Sequence, residues 1–133
     1  MSQAATTEVR IGDFIDSNDI TIYRQLAGGV TTSNILHGSA NPIGGQNQVI
    51  KLRWGSLDED LKMREAPAGI KFALGENVKQ SNHEGGSSRY PQSRMGVEQL
   101  MRDRFEAARD YREQWQHPDQ YVNALPPRRD LEL

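Results

Sequence analysis

The chain has 133 residues, 16 basic and 18 acidic side chains, and a formal net charge of −2. Its 35% hydrophobic content and mean hydropathy of −0.76 are low for a domain of this length. The balanced charge gives no overall field to attract nucleic acid or an anionic membrane. We therefore expect neither nucleic acid nor a membrane as a partner. The absence of cysteine excludes disulfides, thiolate zinc sites and cysteine nucleophiles.

Two further properties concern the compartment. No apolar run approaches the roughly 20 residues that cross a bilayer, and MSQAATTEVR at the N-terminus lacks the hydrophobic core of a signal peptide. An export signal would have to lie upstream of this sequence. The compartment therefore stays open, with the cytoplasm as the default expectation.

The first predicted element is a short helix within SNDITIYRQLAGG, residues 17–29. Ser17, Asn18 or Asp19 can cap its first turn, Ile22 and Leu26 are four residues apart on one face, and Gly28 can take the left-handed conformation that ends a helix. We expect a sharp stop at this glycine.

Three β-rich runs follow along the chain, at residues 30–36, 48–54 and 68–74. Residues 37–47, between the first two runs, are small, polar and rich in glycine, so they are predicted as a loop. Ser56 and Glu59 have the spacing of a capping box, which predicts a short helix before the third strand. Alternation of helices and strands indicates an α/β fold.

The C-terminal half is predicted to contain a polar loop, one long helix and a tail. Residues 78–93 are polar and interrupted by glycine and proline. From Ser93 to about Gln116 apolar residues recur at three- and four-residue steps, as in an amphipathic helix. Within this helix we interpret three large side chains as core contacts, namely Met95, Met101 and Trp115. Prolines at 118, 126 and 127 interrupt helical structure in the tail.

The glycine-rich loop has two interpretations on residue pattern alone. A loop that follows a strand in an α/β protein lies where ligand sites are built. It matches neither GxGxxG nor GxxxxGK[ST], because Gly38, Gly44 and Gly45 have the wrong spacing and a strand follows. The alternative is a wide turn that begins at Asn41-Pro42, with glycines that permit unusual torsions.

Four stretches together resemble a known family. They are LAGGVTTSNILHGSANPIGGQNQVIKLRWG (26–55), APAGIKFALGENVKQ (66–80), the Arg94-Met95-Gly96 start of the long helix, and PPRRDLEL (126–133). From about residue 13 to the end, the chain closely resembles the imidazolonepropionase-related amidohydrolases. The resemblance implies metal-dependent hydrolysis of non-peptide carbon–nitrogen bonds on a (β/α)8 barrel. It places residues 37–47 at the mouth of that barrel.

The resemblance also implies that parts of such an enzyme lie elsewhere. The His-x-His pair of the first barrel strand would precede Met1, and the later histidines and the aspartate would follow Leu133. A complete barrel takes about 250 residues. The whole chain, 1–133, is therefore expected to be a partial barrel of about three strands and a long helix, divided as 13–77, 78–93, 94–116 and 117–133.

Candidate site residues follow from family position in the mouth loop and after the third strand. Expected substrate contacts are His37, Gly38, Ser39, Asn41 and Gln46. Turn formation competes as an explanation for Asn41, and a backbone hydrogen bond competes for His37. Glu76 is the first candidate metal ligand and Lys71 the weaker one, with pairing to a neighbouring carboxylate as the alternative for the lysine.

Other polar residues are weaker candidates. His83 and His117 are isolated imidazoles in polar loops, without the spacing of a zinc site. Arg89, Tyr90 and Arg94 offer a planar fork for a substrate carboxylate, but a solvated loop would contain the same residues.

The leading hypothesis is a fragment of an amidohydrolase that is inactive alone. The full-length enzyme would use a divalent metal, zinc by expectation, and a small-molecule substrate, whereas this chain alone is expected to hold no metal. Its partners would be the remainder of the barrel or, through self-association, a second copy. The rival hypothesis is a non-enzymatic α/β module that binds a partner through exposed sheet edges.

Overall fold

The computed structural model describes residues 3–79, 88–120, 128 and 130–131. These residues combine α-helices with short strands, which confirms a mixed α/β fold. The chain divides into two compact units. The strand-pair unit comprises Val9–His37 and Gly45–Lys71, and the long-helix unit comprises the described residues of Met1–Glu8, Gly38–Gly44 and Phe72–Leu133. No described helix is long and apolar enough to cross a membrane.

The predicted short helix is present in the strand-pair unit as α1, Ile20–Ala27, after a 3-10 turn at Ile11–Phe14. The Asp19 carboxylate accepts a hydrogen bond from the Thr21 backbone N–H at 2.9 Å, as expected of an N-cap. Gly28 follows the helix with φ of −82°, so it is not left-handed. Gly29 has φ of +87° and makes the left-handed turn, one residue later than predicted.

The first two predicted β-rich runs form one hairpin-like pair. Strand β1, Thr32–Ile35, pairs antiparallel with β3, Gln48–Lys51. Adjacent strands of a (β/α)8 barrel are parallel and need a long crossover between them, so these two are not neighbouring barrel strands. The pair covers a small core, which consists of Ile22, Ile50, Leu52 and Leu61.

The glycine-rich segment contains a strand that the sequence did not predict. Strand β2, Ile43–Gln46, pairs with β4, Ile70–Phe72, which lies in the third predicted run. Parallel bridges join Ala5 to Ile43 and Arg10 to Gln46. The loop prediction for residues 37–47 is therefore wrong at 43–46. Ladder hydrogen bonds use only the backbone, so a run with two glycines can still be a buried strand.

A single helical turn, α2, occupies Asp58–Leu61. Its N-cap is Leu57, without a side-chain hydrogen bond, so the capping box predicted from Ser56 and Glu59 is absent. Instead of capping by Ser56, the Asp58 carboxylate accepts a hydrogen bond from the Ser17 backbone N–H at 2.8 Å, which ties two distant segments of the strand-pair unit together. Leu61, at the end of the turn, is completely buried in the core.

The long helix is confirmed as α3, Arg94–Gln116. The Ser93 hydroxyl accepts from the Gly96 N–H at 3.2 Å and caps its start. Short 3-10 turns precede and follow it, at Glu76–Val78 and Pro118–Gln120.

Through Val97 the helix packs against Ala73 and Val78 to form a small core, and Met101 covers this core. Met95 and Trp115 are exposed, so their prediction as core contacts is wrong. Half of the predicted polar loop, residues 80–87, and the pair Pro126-Pro127 lie outside the described residues.

Candidate functional site

The part of the glycine-rich segment in the long-helix unit is fastened by side-chain amides. Asn41 is only 4% exposed, and its Nδ2 donates to the Gln3 carbonyl oxygen at 2.7 Å. Asn77 Nδ2 donates to Ser39 Oγ at 2.7 Å. Gly38 has open space where a side chain would project. Asn41 therefore holds the backbone in place, which favours the turn interpretation of this residue.

Arg89 fastens the same segment. Its Nη1 donates to the Gln3 carbonyl oxygen at 2.7 Å and its Nη2 to the Ala40 carbonyl oxygen at 2.8 Å. Burial lowers the pKa of the guanidinium, because desolvation disfavours the charged form. The planar fork considered for a substrate carboxylate thus binds two backbone carbonyls of its own unit.

In the strand-pair unit, His37 lies against the backbone of Gly45. A methyl group at Gly45 would overlap His37 Nε2 and the Val9 carbonyl oxygen, and would stand 2.8 Å from His37 Cε1. That Val9 oxygen accepts the Gln46 N–H at 2.8 Å. Only glycine fits between this strand contact and the imidazole. His37 Nε2 is buried and has no hydrogen-bond partner among the described residues.

Lys71, the weaker metal-ligand candidate, contributes to the same region. Its Nζ donates to the His37 carbonyl oxygen at 3.3 Å. The lysine therefore holds the backbone of the histidine, and its partner is a carbonyl rather than the carboxylate considered from sequence.

Asn47 is a candidate that the sequence did not identify. Its Nδ2 donates to Asn34 Oδ1 at 2.7 Å, and its backbone N–H donates to the Gly69 carbonyl oxygen at 2.9 Å. Its Oδ1 is buried without a hydrogen-bond partner among the described residues. A methyl group at Gly69 would stand 2.9 Å from this oxygen. The amide is thus fixed on one side and has an unsatisfied acceptor on the other.

Within the described part of the chain, the strand-pair unit therefore contains two buried polar atoms for which no partner is placed, His37 Nε2 and Asn47 Oδ1. Leaving such an atom unsatisfied costs about 1–3 kcal/mol, and buried polar groups in folded proteins are nearly always paired. A water or a ligand N–H would satisfy the asparagine oxygen. The two atoms give the strand-pair unit polar binding capacity toward a water or a ligand.

Glu76, the first candidate metal ligand, is exposed and paired with cations. Its Oε1 accepts from Arg94 Nη2 at 2.8 Å, and its Oε2 lies 2.6 Å from Lys79 Nζ. Across residues 3–79, 88–120, 128 and 130–131, no group of three or more histidine, aspartate or glutamate side chains is placed to hold a metal ion. The described residues therefore do not fit a metal centre, and Glu76 as a ligand stays a prediction.

The predicted substrate contacts divide between the two units. His37 and Gln46 belong to the strand-pair unit, whereas Gly38, Ser39 and Asn41 belong to the long-helix unit. Of the other histidines, His117 is exposed after α3 and His83 lies outside the described residues. Gly44 and Gly45 were predicted from sequence only as part of a glycine-rich loop, and nothing local marked Asn47.

The chain is similar to the crystal structure of an amidohydrolase from Thermotoga maritima MSB8, at 34% sequence identity and a TM-score of 0.84. The match covers 98% of this chain and 33% of that one, so the chain spans about a third of the solved protein. No family model matches, and no curated protein matches. The similarity supports a relation to amidohydrolases without distinguishing the imidazolonepropionase branch.

Proposed function

We propose that the chain is part of a metal-dependent amidohydrolase, of the imidazolonepropionase-related kind, that hydrolyses a non-peptide carbon–nitrogen bond. One observation carries this proposal: identity of 34% along 98% of the chain, with a TM-score of 0.84, to a solved amidohydrolase. Because the match takes in only 33% of that protein, the remaining parts of the (β/α)8 barrel would come from outside this chain.

The contribution of this chain would be to hold the mouth segment and to bind substrate. Arg89, Asn41 and Asn77 fasten residues 39–41, which supports an anchored segment rather than a mobile flap. In the strand-pair unit, Asn47 Oδ1 would accept an N–H of an amide or cyclic amide substrate. Its own Nδ2 is held by Asn34, so the acceptor is oriented before substrate arrives.

Metal dependence rests on the family resemblance alone. The described residues do not provide a metal centre, so most ligands of the metal would come from the rest of the full-length enzyme. Zinc as the metal and Glu76 as one of its ligands stay predictions, and the glutamate would have to exchange Arg94 and Lys79 for the ion.

The proposal is tested by reading the coding sequence on both sides of this chain and expressing whatever continues in frame. A His-x-His segment before and a histidine-rich strand after, in a product that hydrolyses members of an amide and cyclic-amide panel, is the expected result. The Asn47→Ala variant of that product should raise KM more than it lowers kcat, because it removes binding common to substrate and transition state. A folded, metal-loaded product without any hydrolysis would contradict the proposal.

A second candidate is the non-enzymatic module that binds a partner through a sheet edge. The observation that favours it is strand β1, which within the described part of the chain pairs only with β3 and leaves its other edge open. Genuine start and stop signals around a stable transcript of this length would favour the module over the fragment.

A further inference from the structure

A groove beside α3 leaves two large apolar side chains exposed, Leu74 and Phe105. The floor of this groove, which we call the α3 groove, consists of Leu74, Val97, Met101 and Phe105. Val97 is buried in the core, but Leu74 is 69% and Phe105 63% exposed. Phe105 stacks on Phe72 with ring centroids 5.8 Å apart, which fixes the exposed ring in place. An apolar groove with exposed side chains of this size indicates a docking surface.

A row of alternating charges borders the apolar floor. The row consists of Arg94, Glu98, Arg102 and Glu106, at four-residue steps. In an α-helix such a row forms a ridge, and the neighbouring ridge at 97, 101 and 105 runs beside it. The groove therefore has a strip of apolar side chains next to a strip in which positively and negatively charged side chains alternate.

This pattern is complementary to itself when reversed. If a second copy of α3 lies antiparallel, with a two-fold axis that crosses the groove midway between Glu98 and Arg102, Arg94 faces the partner's Glu106 and Glu98 faces the partner's Arg102. All four cross-pairs are then attractive, whereas a parallel arrangement in register places like charges together. An interface with two-fold symmetry requires one patch to complement itself in this way.

We propose that a second copy of this chain docks antiparallel on the α3 groove. The pairs within the chain are compatible with this arrangement, because Glu98 already accepts from Arg102 at 2.8 Å and a carboxylate has further acceptor sites for the partner's guanidinium. The groove spans about 18 Å of helix, which is short for a standard interface. We therefore expect a weak dimer, with a dissociation constant of roughly tens of micromolar.

The charge pattern allows a test that separates association from folding. In Glu98→Arg, two symmetry-related contacts with the partner's Arg102 become repulsive, and in Arg102→Glu two contacts with the partner's Glu98 do. Each variant alone should dimerise about tenfold more weakly than the parent chain. A mixture of the two restores attraction at every cross-pair, so the heterodimer should regain the parental affinity. A variant that had merely misfolded would not recover on mixing.

Sedimentation velocity from about 1 µM to about 1 mM would measure these constants, with circular dichroism to verify helix content. Asp103→Arg is the matched control, because it makes the same charge change on α3 at a position roughly opposite the groove. It should leave the dimer unchanged. A chain that stays monomeric throughout, a dimer unaffected by both reversals, or variants that fail to rescue each other would overturn the proposal. The proposal would also be overturned if a longer protein, expressed with the sequence that continues in frame, did not dimerise. The rest of that protein would then cover the groove.

Discussion

Replacing Gly45 by alanine tests the close contact between the glycine strand and the imidazole. The added methyl would overlap a backbone oxygen, that of Val9, and a ring nitrogen, that of His37. The ring is the more movable of the two. The Val9 oxygen is fixed by its hydrogen bond from Gln46 N–H at 2.8 Å, so backbone has to separate by about an ångström to restore normal contact.

The cost follows from two contributions. Overpacking of a well-filled site typically costs about 1–3 kcal/mol, and weakening the Val9–Gln46 hydrogen bond adds about 0.5–1.5 kcal/mol. We expect Gly45→Ala to lower the free energy of unfolding by about 2–4 kcal/mol, measured by urea titration with Trp54 fluorescence in a Trp115→Phe background.

Gly38→Ala is the control, because Gly38 lies nearby in sequence and has open space around it. Alanine there should be neutral or stabilise by up to about 1 kcal/mol through the unfolded chain. If the two variants differ by less than about 0.5 kcal/mol, the close approach of Gly45 to His37 and Val9 is not a feature of the folded protein.

Three further predictions use the other fixed contacts. Hydrogen bonding from Ser17 lowers the pKa of Asp58, so its stabilising contribution is complete above the ordinary carboxyl pKa of about 4 and is lost as pH falls through the lower folded value. Asp58→Asn should therefore lose less stability than the parent chain between about pH 5 and pH 3, and parallel unfolding curves would contradict this. Arg89→Met should lower the free energy of unfolding by about 1–3 kcal/mol, since two backbone carbonyls lose a charged donor. Arg89→Lys should recover only part of this free energy. An unchanged thermal midpoint in both variants would show that the two hydrogen bonds of Arg89 do not stabilise the fold. The purified chain alone should hydrolyse no amide substrate and hold no stoichiometric zinc, because a catalytic zinc needs about three protein ligands. One tightly held zinc per chain in elemental analysis would contradict this expectation.

The sequence predicted elements whose causes are local. Helix α3 begins at the residue after Ser93 and ends at Gln116, because its cap and its apolar periodicity are both encoded within the helix. Helix α1 begins after Asp19 for the same reason. In contrast, Gly28 and Gly29 are equivalent in sequence, so the pattern did not distinguish which one makes the left-handed turn.

Strand β2 was missed because its hydrogen-bond partners are distant. Ile43-Gly44-Gly45-Gln46 has no alternating side chains, and its pairing with β4 and with residues 5 and 10 appears only when the chain is folded. Asn47 was missed for the same reason, because its hydrogen-bond partner, Asn34, lies on strand β1 and is distant in sequence. Nor could composition show that Glu76 would pair with Arg94, eighteen residues away.

The most direct measurement for the central claim is activity of a chimera. This chain would replace the matching third of the Thermotoga maritima amidohydrolase, and hydrolysis and bound metal would be compared with the parent over one amide panel. If the chain is a functional part of an amidohydrolase, the chimera should fold, load metal and keep measurable hydrolysis, and its Gly45→Leu variant should lose both stability and activity. A chimera that folds as the parent does but hydrolyses nothing would contradict the claim.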